Sequence, residues 1–519
     1  MPAEKYYAGF FYTNKSGMAK LTVYTFKQIN YDMKKYDLII IGAGSGGLSV
    51  GGFMVKLGFK VLMISKTAHE IGGDCLNDGC VPSKALIHAA AVVHNAREAS
   101  KFGLELSPEV DIKKVMQYIF EGQEVIRAHE NKDYFEKEGF DIAIGEAKFT
   151  AVNQVSVAST NYEAKKIVLA TGSRPKKFTA PGIEKVTYYD NRSIFKINEL
   201  PKKLLILGAG PIGIEMAQAF QRLGSEVTVV QHSHAILSHD DKELTLILQK
   251  RLEEAGIKIL FDTTVSHFDS ANTAVLKTKE GIEMTVALDA IFVSIGRQLN
   301  IEGLDLEKAN IKVEKEHIVV NDYLQTTNKN VLLCGDIAGN LQFSHAAEQH
   351  GRLILNNLIS PLKKKLNNKH MSWVTFTDPE LATFGLNEKQ LKKQSITFEK
   401  VVQDFANDDR AIVDDYRYGK LILYISKGFW FQKQRILGGS MIAPKAGELI
   451  QELILANVSG MSINTIAGKV YPYPVATRIN QKAVGQLKMK LITDNTKKLS
   501  QLAFKMFSNC LQSFSFRKI

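Results

Sequence analysis

Cys75 and Cys80 are two of only four cysteines in 519 residues. They stand five apart in the run Gly72-Gly73-Asp74-Cys75-Leu76-Asn77-Asp78-Gly79-Cys80-Val81-Pro82-Ser83-Lys84. Thiols this close can exchange with disulfides, hold a metal or simply pack. A zinc site would need a second ligand pair at matching spacing, and no other cysteine or histidine pair supplies one. Exchange needs a thiolate, and a helix start favours the thiolate because its free N–H groups stabilise negative charge. In a regular helix five residues rise roughly 7.5 Å, farther than a disulfide spans. A bond between the two therefore requires an irregular first turn, which Gly79 and Pro82 allow.

Two glycine turns flank this motif in the chain, and each has the context of a dinucleotide site. The first runs from a strand, Leu38–Ile41, through Gly42-Ala43-Gly44-Ser45-Gly46-Gly47 into a helix ending at Leu57, then a strand, Lys60–Ile64. The second runs from Leu204–Leu207 through Gly208-Ala209-Gly210-Pro211-Ile212-Gly213 into a helix ending at Leu223, then Glu226–Val230. In each, the first glycine (Gly42, Gly208) makes the turn and the second (Gly44, Gly210) lets the backbone approach a pyrophosphate. The third (Gly47, Gly213) lets helix and strand pack closely. The stretch Leu38–Val55 is 18 residues without a charge, which imitates a membrane span. Its six glycines make strand, turn and helix the better reading.

In both units the second strand ends 23 residues after the first glycine, where an acidic residue often holds a ribose. Here Ser65 and Gln231 stand there, each able to hydrogen-bond a hydroxyl. A 2′-phosphate wants arginines, and Gln231-His232-Ser233-His234 has none, so NAD is favoured over NADP in the second unit. His232, His234 and His239 read as a loop beside the nucleotide, and no metal site is expected.

The length suits about three to five domains. Four cysteines cannot make an extracellular disulfide framework, so the chain belongs in a reducing compartment, the cytoplasm. Lys and Arg exceed Asp and Glu to give +12, but the excess is scattered, with no run longer than Lys363-Lys364-Lys365. Nucleic-acid binding needs a clustered basic face, and none is expected here. Residues 1–32 lack the unbroken apolar core of a secretory signal and read as a disordered leader, with native starts at Met18 or Met33. From about Trp373 the pattern becomes mixed strand and helix without a new glycine turn. Beyond Met489, Leu499, Leu502, Ala503, Met506, Phe507, Cys510 and Leu511 follow helical spacing. That tail is expected to pack on the body, with weak membrane-surface association as the alternative. Cys334 reads as structural, and Cys510 as a small apolar residue.

The cysteine motif resembles that of the class I pyridine nucleotide–disulfide oxidoreductases, the family of dihydrolipoamide dehydrogenase, glutathione reductase and mercuric reductase. The resemblance covers about Met33 to Met489. Supporting motifs follow in the family's order: Ala170-Thr171-Gly172-Ser173-Arg174-Pro175, Gly296-Arg297, Gly335-Asp336 and Thr377-Asp378-Pro379-Glu380. The resemblance implies an α/β architecture of two Rossmann-like dinucleotide-binding domains plus a C-terminal α+β dimerisation domain, working as a homodimer. It places FAD-binding segments at 36–185 and 301–370, NAD(P)H at 186–300 and dimerisation at 371–489, with the leader at 1–35 and the tail at 490–519 outside it. FAD would be held by Gly42, Gly44, Gly47, Ser65, Gly73, Lys84, Thr171, Gly172 and Asp336. The nicotinamide dinucleotide would take Gly208, Gly210, Gly213, Gln231, Gly296 and Arg297. Cys80 would face the flavin, Cys75 would meet the substrate, and Lys84 would pair with Glu215 and tune the flavin.

One departure matters. Disulfide reductases of this family mostly carry His-Pro followed by Glu near the C-terminus as an acid–base pair. Here Tyr473 stands for the histidine and Arg478 for the glutamate. A phenol with a pKa near ~10 is a poor base at neutral pH. Mercuric reductase also has tyrosine there, but it delivers metal through a C-terminal cysteine pair, and this tail has only Cys510. The expected function is electron transfer from NAD(P)H through FAD and a Cys75–Cys80 disulfide to a small-molecule acceptor: a disulfide with a low-pKa thiol, a metal ion or a quinone-like compound. Tyr473 is retained as a catalytic candidate. The alternative is a flavin-bearing structural or regulatory subunit without turnover.

Overall fold

The computed structural model describes residues 33–515 apart from 108, 340, 429–432 and 491. The expected leader therefore lies almost wholly outside the described residues. The first sheet is seven-stranded. Its centre is Lys34–Ile41, running parallel to Val61–Ser65 on one side and to Thr160–Leu169 on the other. Asp141–Ile144 extends it past Val61–Ser65. The free edge of Thr160–Leu169 is shared. Its first half takes an antiparallel hairpin strand, Gln154–Val157, and its last three residues take Val331–Leu333 in parallel. Leu38, Ile39 and Ile40 are fully buried because helices cover both faces of a parallel strand.

Where the sequence imitates a membrane span, the strand stops at Ile41 and the helix Ser45–Lys56 starts behind Gly44. Gly42 has φ +112°, and a side chain there would run into the Ala170 carbonyl. A methyl on Gly47 would lie 2.1 Å from the Gly42 oxygen, so the helix can pack this close only over a glycine. No described helix is long and apolar enough to cross a membrane.

The second sheet repeats the plan with five parallel strands in the order Lys258–Leu260, Glu226–Val230, Lys203–Leu207, Ala290–Val293, Thr187–Tyr189. Its helix, Pro211–Leu223, begins with proline at the first turn and ends at Gly224 in the left-handed conformation. A third, wholly antiparallel sheet of five strands begins at Ser372, beside the expected Trp373. One apolar core joins these units. It contains Leu86 and Ala90 of the helix Cys80–Glu98, Ile214 and Ala217 of the helix Pro211–Leu223, and Leu381, Ile422 and Ile442 of the third sheet. The helix that carries the cysteine motif is thereby fixed against the second nucleotide unit.

The tail departs from its expected packing. Asp494–Ser515 is helical, as its spacing required, but Leu499, Met506 and Phe507 are exposed rather than seated on the body.

Candidate active site

The helix is broken between the two cysteines, as a bond between them demands. One short helix, Gly73–Asn77, carries Cys75, and a new one, Cys80–Glu98, starts at Cys80. Gly79 bridges them with φ −123° and ψ −108°, and an added methyl there would strike the Asp74 carbonyl at 2.8 Å. Both thiols are free and hydrogen-bonded to each other. The proton they share sits unevenly. Cys80 is held well below the usual thiol range by the hydrogen bond from Cys75, with help from the Ser344 hydroxyl and the Lys84 ammonium. Cys75 is pushed up by the same bond and by burial. Of the two sulfurs, Cys80 is the one favoured as the thiolate.

Ser344 Oγ lies 3.4 Å from Cys80 Sγ. Ser344 opens the helix Ser344–Ile359, so two helix N-termini converge on the sulfur. The Ser344 and Ser45 hydroxyls also touch Cys75. Sequence reasoning missed both serines. Ser344 is 264 residues from Cys80, and a serine ahead of a helical run reads only as a cap.

Lys84 Nζ is 2.7 Å from Glu215 Oε2. Glu215 is 5% exposed, and its other oxygen accepts from the backbone N–H of Phe376. The Lys84 ammonium sits 4.4 Å from the centre of the Phe376 ring. The Asp378 carboxylate in turn holds Arg222, while Gln218 bonds the Asp378 backbone. The segment Phe376–Asp378 is therefore the clamp that fixes the helix bearing Glu215.

A second network links the cysteine motif to Asp336. Asp336 accepts from Ser173 Oγ at 2.6 Å, and burial raises its pKa. Arg297 Nε donates to that same serine oxygen at 2.6 Å, and its guanidinium reaches Asp74 at 3.2 Å. Thr171 and Asn300 exchange side-chain-to-backbone bonds alongside. Gly73, with φ +66°, lets this motif approach Gly44, since a methyl on it would lie 2.6 Å from the Gly44 Cα.

These groups line one continuous cleft of about 2360 Å³. It runs from Gly42, Gly44 and Ser65 past Cys75, Cys80 and Lys84 to Gly208, Gly210 and Gln231, and it includes Gly172, Asp336, Gly296 and Arg297. Whether two dinucleotides fit is answered by the middle glycines. Gly210 has ordinary φ, and a methyl on it would meet nothing within 4 Å. Gly44 also has ordinary φ, and its nearest neighbour would be 3.5 Å away. The protein itself does not require glycine at either position. Each turn thereby leaves room for a pyrophosphate to approach its backbone.

Three sequence candidates are placed less directly. Ser65 is 3% exposed and donates to the Thr67 carbonyl. Gln231 is buried, with Oε1 accepting from the Ala209 N–H and Nε2 donating to Ser233 and Ala235. Its amide is spent on the turn and the following loop. Tyr473 is 67% exposed, its hydroxyl 3.3 Å from Asp409 and its ring 5.3 Å from the Arg478 guanidinium. It does not line the cleft. Cys334 is fully buried against the Gly46 turn, and burial pushes its thiol up to about 12.

Residues 36–351 match the family described as pyridine nucleotide-disulphide oxidoreductase, and residues 371–484 match that family's dimerisation domain. A dihydrolipoyl dehydrogenase of Mycoplasma pneumoniae is 34% identical over 456 residues, covering 85% of this chain and 95% of that protein. A mercuric reductase of Lysinibacillus sphaericus is 31% identical over 449 residues, covering 86% of this chain and 81% of that protein. Among solved structures, the HOCl-induced flavoprotein disulfide reductase RclA of Escherichia coli is 25% identical with a TM-score of 0.77, covering 87% of this chain and 99% of that one. The same RclA is also solved as a Cu(II) complex, with a TM-score of 0.76.

Proposed function

The chain belongs to the pyridine nucleotide-disulphide oxidoreductase family, and from that premise we propose which acceptor it serves. It is an FAD-dependent NAD(P)H oxidoreductase that works through a redox disulfide. The acceptor we propose is one whose reduction needs no proton from the protein: a soft metal ion, a quinone-like compound or a disulfide with a strongly acidic thiol. The supporting observation is Tyr473. It stands beside Arg478 and Asp409, with no carboxylate–imidazole pair in its place.

A bound FAD would supply the hydride-accepting and two-electron chemistry that links the nicotinamide to sulfur. The chain's own residues do the rest. Gly44 and Gly210 admit the pyrophosphates, and Asp336, fixed by Ser173, presents a carboxylate to the polar chain of the flavin nucleotide. Lys84, pinned by Glu215, offers a positive charge where negative charge develops. Ser344, with the Lys84 charge, stabilises the Cys80 thiolate, leaving Cys75 with the proton. Cys75 is the thiol that meets the acceptor. It gives its proton to solvent as it attacks a disulfide sulfur and expels one thiolate; the Cys80 thiolate then attacks the Cys75 sulfur, expels the second thiolate and closes the Cys75–Cys80 disulfide. A soft metal ion bound to both sulfurs would take the same two electrons as that disulfide closes. An ordinary aliphatic thiolate would need a proton on leaving, and the groups bonded to the two sulfurs are the Ser45 and Ser344 hydroxyls.

We assign residues 36–185 and 301–370 to FAD, 186–300 to the nicotinamide dinucleotide and 371–489 to a homodimer interface. NADH is the proposed donor, because the segment after Gln231 has no arginine for a 2′-phosphate. The low cysteine count supports work in the cytoplasm.

The test compares acceptors under one set of conditions. General acid catalysis contributes about 10²–10⁴-fold, so turnover of lipoamide and glutathione disulfide should fall at least ~100-fold below that of an aromatic disulfide. Comparable rates on all three would refute the reading.

A further inference from the structure

The helix Asp494–Ser515 begins ten residues past 484, where the match to the dimerisation domain ends. At about 100° per residue, Leu499, Leu502, Ala503, Met506 and Phe507 fall on one broad arc. Leu499 is 70%, Leu502 56%, Met506 65% and Phe507 71% exposed. Phe504 extends the arc on one side and is also exposed. The opposite arc carries Lys497, Lys498 and Lys505, and after Asp494 the helix contains no acidic residue. Such an arc is not left in water by chance, because large contiguous apolar patches mark interaction sites.

We propose that this helix lies in the surface of an anionic bilayer and docks the enzyme there. The apolar arc is wide and rich in Leu, Met and Phe, the side chains that enter the acyl boundary. The lysines stand on the polar arc, where their stems reach outward and place ammonium groups among lipid phosphates and carboxylates. Charge favours the bilayer over a second copy of the helix as the occupant, because after Asp494 the helix offers no acidic residue to form the flanking charge pairs that stabilise paired helices. The net charge of +12 favours an anionic surface over a neutral one. The polar arc keeps the helix at the surface, and it does not qualify as a span.

Flotation of the full-length holoenzyme with vesicles tests this. Vesicles of phosphatidylserine and phosphatidylcholine should carry the protein upward, and vesicles of phosphatidylcholine alone should not. Each Lys→Gln change at 497, 498 or 505 should weaken binding roughly fivefold, as expected for one basic residue near an anionic leaflet. The double variant Leu499→Asp with Met506→Asp should stop floating while its NADH consumption and its mass by light scattering stay unchanged. Three results would overturn the proposal. They are no flotation of the unaltered protein, equal flotation on both vesicle types, or a fall in mass of the double variant, which would show that a second copy covers this face.

Discussion

Lys84 and Glu215 form a 2.7 Å ion pair that ties the cysteine-bearing helix to the helix Pro211–Leu223 of the second nucleotide unit. Glu215 is the buried member, and Lys84 keeps about a third of its side chain in water. Removing the cation leaves a buried carboxylate with only the Phe376 N–H as partner. Lys84→Met should therefore destabilise the holoenzyme by about 1–3 kcal/mol, below the full figure for a buried pair because lysine is partly solvated. It should also slow NADH-driven reduction roughly 10²-fold, the usual loss when one charge-stabilising group is removed. Thermal unfolding and rapid-mixing kinetics read the two effects separately. A fully active Lys84→Met enzyme would remove this pair from the chemistry.

Ser344 predicts a pH shift. The Cys80 thiol is held down to about 6, so the reduced enzyme carries a thiolate at neutral pH and loses it as pH falls through that value. Ser344→Ala deletes one donor to that thiolate. A hydrogen bond to a charged group is worth about 1.5–3 kcal/mol, so the midpoint should move up by roughly one pH unit or more. Ser344→Thr keeps the hydroxyl and should restore it. The readout is the pH titration of the long-wavelength absorbance of a thiolate lying against bound flavin. An unchanged midpoint in Ser344→Ala would remove the serine from the control of the Cys80 sulfur.

The two glycines of the second turn should fail differently. A methyl on Gly213 would sit 2.0 Å from the Gly208 oxygen, so Gly213→Ala should cost several kcal/mol or abolish folding. A methyl on Gly210 meets no protein atom. Gly210→Ala should leave stability within about 0.5 kcal/mol and raise KM for NADH. If Gly210→Ala changed stability but not KM, the pyrophosphate would lie elsewhere.

Gln231 tests donor choice. Its amide is already committed to Ala209, Ser233 and Ala235, so Gln231→Ala should loosen the turn and lower Tm without reversing the preference for NADH. The measurement is kcat/KM for NADH and NADPH in both forms. A preference for NADPH in the unaltered enzyme would contradict the reading of this strand end.

Local chemistry was the legible part. The glycine turns and the broken helix between Cys75 and Cys80 follow from backbone geometry within a dozen residues. The link of Lys84 to Glu215 spans 131 positions, and only the resemblance pointed to it. Ser344 and Phe376 were not legible, because their roles come from distant segments brought together by packing. Gln231 shows a subtler limit: its position at the strand end was readable, but the three partners that occupy its amide were not. Tyr473 stands in the sequence where an imidazole would be, yet its surroundings depend on the fold of the C-terminal segment. The tail's helical spacing was plain, while its failure to pack on the body was not.

The central claim is that electrons pass through the sulfur pair, with Cys80 as the thiolate beside the flavin. Anaerobic titration of the purified holoenzyme with NADH, followed by absorbance, tests it most directly. The account predicts a long-wavelength band that appears on reduction and fades below about pH 6. The band should be absent in Cys80→Ser and present in Cys334→Ser. Bleaching of the flavin with no such band in the unaltered protein, or an equal band in Cys80→Ser, would contradict it.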